Sequence, residues 1–322
     1  MKMTILCGIA RSGKSTYIQN NIDDNTVVIS RDSLREMLFL DKNNMKNEEL
    51  VTSCFEKVLQ EALKTGKDIV IDNTNLLSKY IAQFIDKAKH YNYEVKLVRF
   101  WVSPKILLKR AEESSFPKEV ILRMLANNHL LDFELINGIE IEDIRMSGLY
   151  TVMDYFEDLD FDQHSKHHDT TALIHSHRTV DVIQDNYYGL YKTELMTAAL
   201  LHDTGKPYCI DSTVADNWTY KGHATVSSYI MMAHHYEIQD KLIAILCHLH
   251  MERFGLRDLR GCPKFAIKLM KWQQILNRDF ENLNLLNLLG ELWLADELSH
   301  GVNANTEYIE KILDKLKELC YN

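Results

Sequence analysis

Gly8-Ile9-Ala10-Arg11-Ser12-Gly13-Lys14-Ser15-Thr16 decides the fold of the first half of this chain. Thr4 to Cys7 before it reads as a buried strand, and Ser15 to Ile18 opens a helix. A glycine-rich loop between strand and helix turns backbone N–H groups and a helix N-terminus toward phosphate oxygens. Gly8 and Gly13 permit the tight path and close approach. Lys14 is expected to reach the β- and γ-phosphates, and the Ser15 hydroxyl to bind Mg²⁺. Gly8, Arg11, Ser12, Gly13, Lys14, Ser15 and Thr16 are thus the expected nucleotide cradle, with ATP as ligand.

Further strands alternate with helices. Thr26 to Ser30, Asp68 to Asp72 and Tyr93 to Trp101 read as strands, and Glu48 to Lys64 and Lys79 to His90 as helices. Such alternation predicts a parallel α/β sheet with ligands at the carboxyl ends of its strands. After Ser30 comes Arg31-Asp32-Ser33-Leu34-Arg35. There Asp32 is placed to accept a proton, and the arginines to hold phosphates, unless the segment is only a capped helix start with solvated charges. Asp72 is a second Mg²⁺-organising carboxylate by position, and Asn73 to Asn75 read as caps of the next helix. Leu107 to Pro117 and the helix containing Arg123 read as a basic lid, with Lys109 and Lys118 taken as solvated.

These motifs, with Pro117 and Val120 to Met124, resemble the 5′-OH polynucleotide kinase domain of phage end-healing enzymes over about residues 1–130. The resemblance implies that Lys14 and Ser15 bind ATP and Mg²⁺ and that Asp32 is the general base. It implies Arg35 on the acceptor phosphate and Arg123 on the donor phosphates. The aspartate-nucleophile phosphatase of such enzymes needs Asp-x-Asp-x-Thr, which this chain lacks.

The second half has another character. Of 14 histidines only His90 and His129 precede residue 160, which places a domain boundary near Ser147-Gly148 and divides the chain into 1–150 and 151–322. Periodicity there is helical. Leu195, Met196, Ala199 and Leu200 lead into His202-Asp203, with Gly205 as expected C-cap and Pro207 beyond. His168 and His175 stand seven apart, expected on one helix face. Gly222-His223 opens a helix, His248 and His250 end one, and Asp296 sits inside an apolar helix from Asn282 to Leu298, where a buried carboxylate needs a partner. His90, His129, His164, His177, His234, His235 and His300 read as structural or surface.

This His…His-Asp…His…His…Asp order resembles the HD-domain phosphohydrolases, an all-α fold, and within them tRNA end-processing enzymes. The resemblance implies His175, His202, Asp203 and Asp296 as metal ligands, and His223 and His250 as ligands of a second metal or phosphate contacts. Lys206 is implied as a contact to the leaving phosphate, and His167 and His168 touch substrate or metal. Histidine with carboxylate suits Mn²⁺, Fe²⁺, Ni²⁺, Co²⁺ or Zn²⁺.

Composition limits the setting. The net charge of −9 argues against a protein that coats long nucleic acid, so contact is expected at ends. Six cysteines without a Cys-x-x-Cys pair imply reduced thiols, and no apolar run approaches a membrane span, so a cytoplasmic enzyme is expected, compatible with phage origin. The joint expectation is RNA end healing: 5′-OH phosphorylation, and hydrolysis of 2′,3′-cyclic or terminal phosphates. DNA ends remain open as substrate, and a separate RNA ligase is the expected partner. The rivals are a nucleoside kinase fused to a nucleotide phosphohydrolase, and an ATP sensor that regulates a hydrolase.

Overall fold

The computed structural model describes residues 1–164, 169–214, 217–234, 237–300 and 304–321. The chain forms two compact units. One holds Met1–Val102, Ile106–Met124 and Asn128–Met146; the other holds Ser103–Lys105, Leu125–Asn127 and the chain from Ser147 onward.

The first unit runs β1 (Lys2–Gly8), α1 (Lys14–Asn21), β2 (Val27–Ser30), α2 (Arg31–Phe39), α3 (Glu48–Lys64), β3 (Ile69–Asp72), α4 (Ser78–His90), β4 (Glu94–Val102), α5 (Pro104–Glu113), α6 (Lys118–Ala126) and β5 (Glu140–Met146). Its sheet is fully parallel, in the order β2-β3-β1-β4-β5. Strands covered on both faces need apolar residues at nearly every position, as Ile5, Leu6, Ile69, Val70, Ile71, Leu97 and Val98 supply. β1 lies between β3 and β4, so the loop leaving its carboxyl end opens where the connections diverge, the usual ligand position in an open sheet.

β5 was missed by the pattern because Glu140, Glu142 and Asp143 interrupt its apolar residues. Partners on the neighbouring strand explain the acid. Asp143 faces Arg99 across the ladder and accepts from its Nε at 2.7 Å and Nη2 at 2.9 Å, and from Trp101 Nε1 at 2.9 Å. Arg99 is buried and also pairs with Glu134 at 2.7 Å. Asp143→Ala leaves that guanidinium short of charge, and the expected loss is about 3–5 kcal/mol in urea unfolding at pH 7. Burial alone would raise the Asp143 pKa, but the Arg99 guanidinium outweighs it and the net value lies below the ordinary one. The carboxylate's contribution is therefore fully present above the unfolded pKa of about 3.9 and disappears as pH falls through the lower folded value. The gap between wild type and Asp143→Ala should narrow in that acid range.

The second unit is helical: α7 (Val152–Glu157), α8 (Ala172–Asn186), α9 (Lys192–Leu201), α10 (His223–Ala233), α11 (Ile238–Leu249), α12 (Glu252–Gly255), α13 (Cys262–Leu276), α14 (Leu285–Leu298) and α15 (Glu307–Tyr321). α10 is buried over nearly its whole length, and its buried serine hydroxyls are satisfied, Ser227 donating to His202 O and Ser228 to Thr225 O. Among the described residues no helix is long and apolar enough to cross a membrane.

Candidate functional site

At the end of β1 the loop follows the path its glycines allow. A Cβ on Gly8 would stand 2.7 Å from Ser12 Oγ and 2.9 Å from Phe100 Cβ, and Gly13 has φ +97°. Gly13 is also the N-cap of α1, whose first residues are Lys14, Ser15 and Thr16. Lys14 Nζ donates to the carbonyls of Gly8 and Ile9, each at 3.0 Å, so the ammonium lies over the loop. Burial lowers its pKa to about 8, against the opposing pull of Asp72. Arg11 takes a left-handed φ of 69°, its guanidinium covers the Phe116 ring at 4.8 Å, and its carbonyl accepts from Arg110 at 3.0 Å. Arg110 is thus the basic lid residue seen on the loop, which the sequence did not single out. Arg123 lies exposed on α6.

Asp32 occupies the exposed first turn of α2 and pairs with Arg35 at 2.5 Å. Arg35 is buried against Glu48, with contacts at 2.6 and 3.0 Å, and Arg31 reaches the same carboxylate at 2.7 Å. Glu48 therefore organises both arginines, and 13 to 17 residues of separation hid that role. The capping expectation for Asn73 to Asn75 is corrected. Asn73 Oδ1 accepts from Arg31 N, Asn75 Nδ2 donates to Leu6 O, and α4 takes no side-chain cap. The segment ties β3 to the neighbouring strand ends instead. Asp72 is half-buried at the end of β3, and burial raises its pKa.

In the helical unit five predicted ligands from four elements converge with Asp296. His175 Nε2 lies 3.0 Å from Asp296 Oδ1 and 3.6 Å from Asp203 Oδ2. His202 Nε2 lies 3.4 Å from Asp203 Oδ2 and 3.6 Å from Asp296 Oδ1. On the other side of Asp203, Oδ1 stands 3.2 Å from His223 Nε2 and 4.0 Å from His250 Nε2. All six residues are buried.

The imidazoles are oriented by their other nitrogen. Nδ1 of His202, His223 and His250 faces the carbonyl three residues earlier, of Ala199, Tyr220 and Cys247, at 2.7, 2.8 and 2.7 Å. A carbonyl only accepts, so each Nδ1 carries the hydrogen, and each ring in its neutral form presents a lone pair at Nε2. Two such lone pairs, on His223 and His250, then face each other at 3.0 Å, and His202 Nε2 has no hydrogen-bond partner among the described residues. With both rings neutral that arrangement is repulsive, and a proton or a metal ion between the nitrogens relieves it. Donors about 2.1 Å from one ion stand about 3.0 Å apart at a right angle and about 3.4 Å at a tetrahedral angle. The observed 3.0 to 3.6 Å spacings fit, with the two Asp203 oxygens turned to two sets of histidines.

Burial alone would raise the Asp203 and Asp296 carboxyls. Nearby positive charge, chiefly His202 and Lys206 for Asp203 and Arg253 for Asp296, holds both well below the usual range. Lys206 Nζ sits 2.6 Å from Asp203 Oδ2 and 2.5 Å from Gln163 Oε1. Arg253 Nη1 meets Asp296 Oδ2 at 2.7 Å.

Several expectations change. α9 ends at Leu201 with His202 as its C-cap, so His202 and Asp203 project just past the helix. Gly205 has right-handed dihedrals and is no left-handed cap. It is needed for approach: a Cβ there would lie 2.2 Å from the His223 carbonyl oxygen and 2.8 Å from Ser227 N. Gly205→Ala is expected to cost about 1–3 kcal/mol or more and to disturb the Asp203–His223 spacing, read as a lower urea midpoint. His250, not His248, enters the cluster; His248 lies toward Lys268. His300, read as structural, joins it with Nε2 3.5 Å from Asp296 Oδ1, a contact that i, i+4 spacing on one helix face would have signalled. Arg253 and Gln163 were also missed. α8 begins at Ala172, which puts His175 in its first turn. His167, His168 and His235 lie outside the described residues.

Residues 3–130 match the family model described as an AAA domain. The match spans the loop, Asp32, Arg35, Asp72 and Arg123, and ends before β5. Among solved structures, that of a proposed kinase from Chloroflexus aurantiacus is 11% identical over 44% of this chain and 84% of its own, with a TM-score of 0.33. The first unit is a parallel α/β domain with a glycine-rich phosphate-loop sequence, and the second is a helical unit with a buried His/Asp cluster.

Proposed function

We propose that this protein heals RNA ends, phosphorylating a 5′-OH with ATP in the first unit and removing a 2′,3′-cyclic or terminal phosphate in the second. The observation that carries the reading is the facing pair of Nε2 atoms on either side of a two-sided Asp203, beside the Lys206 ammonium. That centre suits binding a phosphate ester; the loop at the end of β1 suits moving a phosphoryl group. In the kinase reaction the Asp32 carboxylate takes the proton of the 5′-OH. The oxygen attacks the γ-phosphorus, the bond to the β–γ bridging oxygen breaks, and ADP leaves. Lys14 and the loop N–H groups hold the triphosphate, Ser15 and Asp72 are the residues that would hold Mg²⁺, and Arg35 and Arg123 take acceptor and donor phosphates.

In the second unit His175, His202, Asp203 and Asp296 would hold one divalent ion, and Asp203, His223 and His250 a second. Ions bound there would supply a water acidified to near neutral pH. Lys206 is placed to neutralise the departing phosphate, and Arg253 holds Asp296 in its rotamer.

The test is a short RNA with a 5′-OH and a 2′,3′-cyclic phosphate, incubated with protein, ATP, Mg²⁺ and Mn²⁺ and weighed. One phosphate should appear at the 5′ end and the 3′-end phosphate should go. Asp32→Asn should cut 5′ transfer about 10²–10⁴-fold while leaving 3′ hydrolysis intact. An unchanged RNA with phosphorylated free nucleosides would replace the reading with a nucleoside kinase. ATP-stimulated hydrolysis with no phosphoryl acceptor would replace it with a sensor.

A further inference from the structure

The two sides of the His/Asp cluster differ, and one carries an aromatic surface that nothing so far uses. Trp218 and His164 pack with ring centroids 4.3 Å apart and planes tilted by 42°, and Trp218 N donates to His164 O at 2.9 Å. Both rings are half-buried, which leaves part of each open. The other three tryptophans, Trp101, Trp272 and Trp293, are fully buried. His164 is held at φ 43°, a strained backbone for a residue other than glycine, and its N–H is fixed by Asp162 at 2.9 Å. Trp218 stands on an extended segment fixed by the Asp211–Thr219 bridge. Two residues on, where an extended chain repeats its face, comes Tyr220.

Tyr220 joins this surface to the cluster by three contacts. Its carbonyl orients His223, its hydroxyl donates to Gln163 O at 2.6 Å, and its ring lies under the Lys206 ammonium at 5.5 Å. Gln163 is the residue before His164, and its Oε1 accepts from the same ammonium. One rigid strip thus runs from aromatic faces through Lys206 to Asp203.

A terminal nucleotide has the same order of parts: a flat base, a sugar, and a phosphate at its 2′ or 3′ oxygen. We propose that Trp218 and His164 form a stacking subsite for the base of the nucleotide whose phosphate enters the cluster. The inference rests on the phosphohydrolase reading for its orientation. It commits to the base, because a π face is what half-exposed Trp and His offer and every base supplies one. The subsite therefore favours nucleotides over simple phosphate esters and is tolerant of base identity.

Trp218 is its own reporter. Titration of the full chain with a nucleoside 3′-monophosphate should quench tryptophan fluorescence saturably, inorganic phosphate should not, and Trp218→Phe should abolish the signal. By calorimetry Trp218→Ala should weaken nucleotide binding about 5- to 150-fold, the range for losing one base–aromatic stack, and Trp218→Phe should restore most of it. His164→Ala should act in the same direction. With an RNA ending in a 3′-phosphate, Trp218→Ala should raise KM with kcat little changed, and it should leave KM unaltered for the same RNA with an abasic terminal nucleotide. Equal nucleotide affinity in wild type and Trp218→Ala, or an equal KM rise on the abasic RNA, overturns the subsite. Base-dependent quenching in a protein that hydrolyses no end phosphate keeps the subsite and overturns the hydrolysis reading instead.

Discussion

Asp203→Ala should remove 3′-end phosphate hydrolysis by about 10³-fold or more while leaving 5′ phosphorylation in the same chain untouched. The scale is that of deleting a preorganised electrostatic element from a buried site. Asp203 meets both sets of histidines, through Oδ2 toward His175 and His202 and through Oδ1 toward His223 and His250. Its removal also strips Lys206 of its ion pair in a buried place. Protein-bound divalent metal, measured after gel filtration, should fall in parallel. Asp203→Asn separates charge from shape: it keeps the volume and an accepting oxygen and should still lose most activity. A variant that folds, keeps its metal and hydrolyses at the wild-type rate would remove Asp203 from the centre of this account.

Lys14→Ala should abolish 5′ phosphorylation by about 10²–10³-fold with the phosphohydrolase rate unchanged. The Lys14 ammonium is held over the loop by the Gly8 and Ile9 carbonyls, so it is positioned before any phosphate arrives. Alanine keeps the helix start and the glycine path, and a fold defect is therefore not expected; a thermal melt checks this. Retained transfer in Lys14→Ala would mean that phosphate is bound elsewhere. Loss of both activities would mean that the two chemistries are coupled, as the sensor reading requires.

The two outcomes together discriminate between independent catalysts and a regulated one. They do so because the residues concerned sit in different compact units, each with its own buried charges.

Much of this was readable along the chain. The loop from Gly8 to Thr16, the alternation of strands and helices in the first half and the helical periodicity of the second are local signals. A tight phosphate turn, a doubly covered strand and an amphipathic helix each impose their pattern within a few residues. His202 and Asp203, adjacent and followed by Gly205 and Lys206, belong to the same class. What the chain could not display was pairing between distant segments. β5 looked polar until Arg99 and Trp101 of the next strand took up Asp143. Glu48 was an ordinary helix start until it met Arg31 and Arg35. The choice of His250 over His248 depended on which face of α11 points inward, and Gly205 proved necessary for a backbone that packs against it from α10. Sequence periodicity reports burial and turns, which are decided locally. Ligand sets and ion pairs depend on which buried charges lie within a few ångströms of one another, and only the packed tertiary structure decides that.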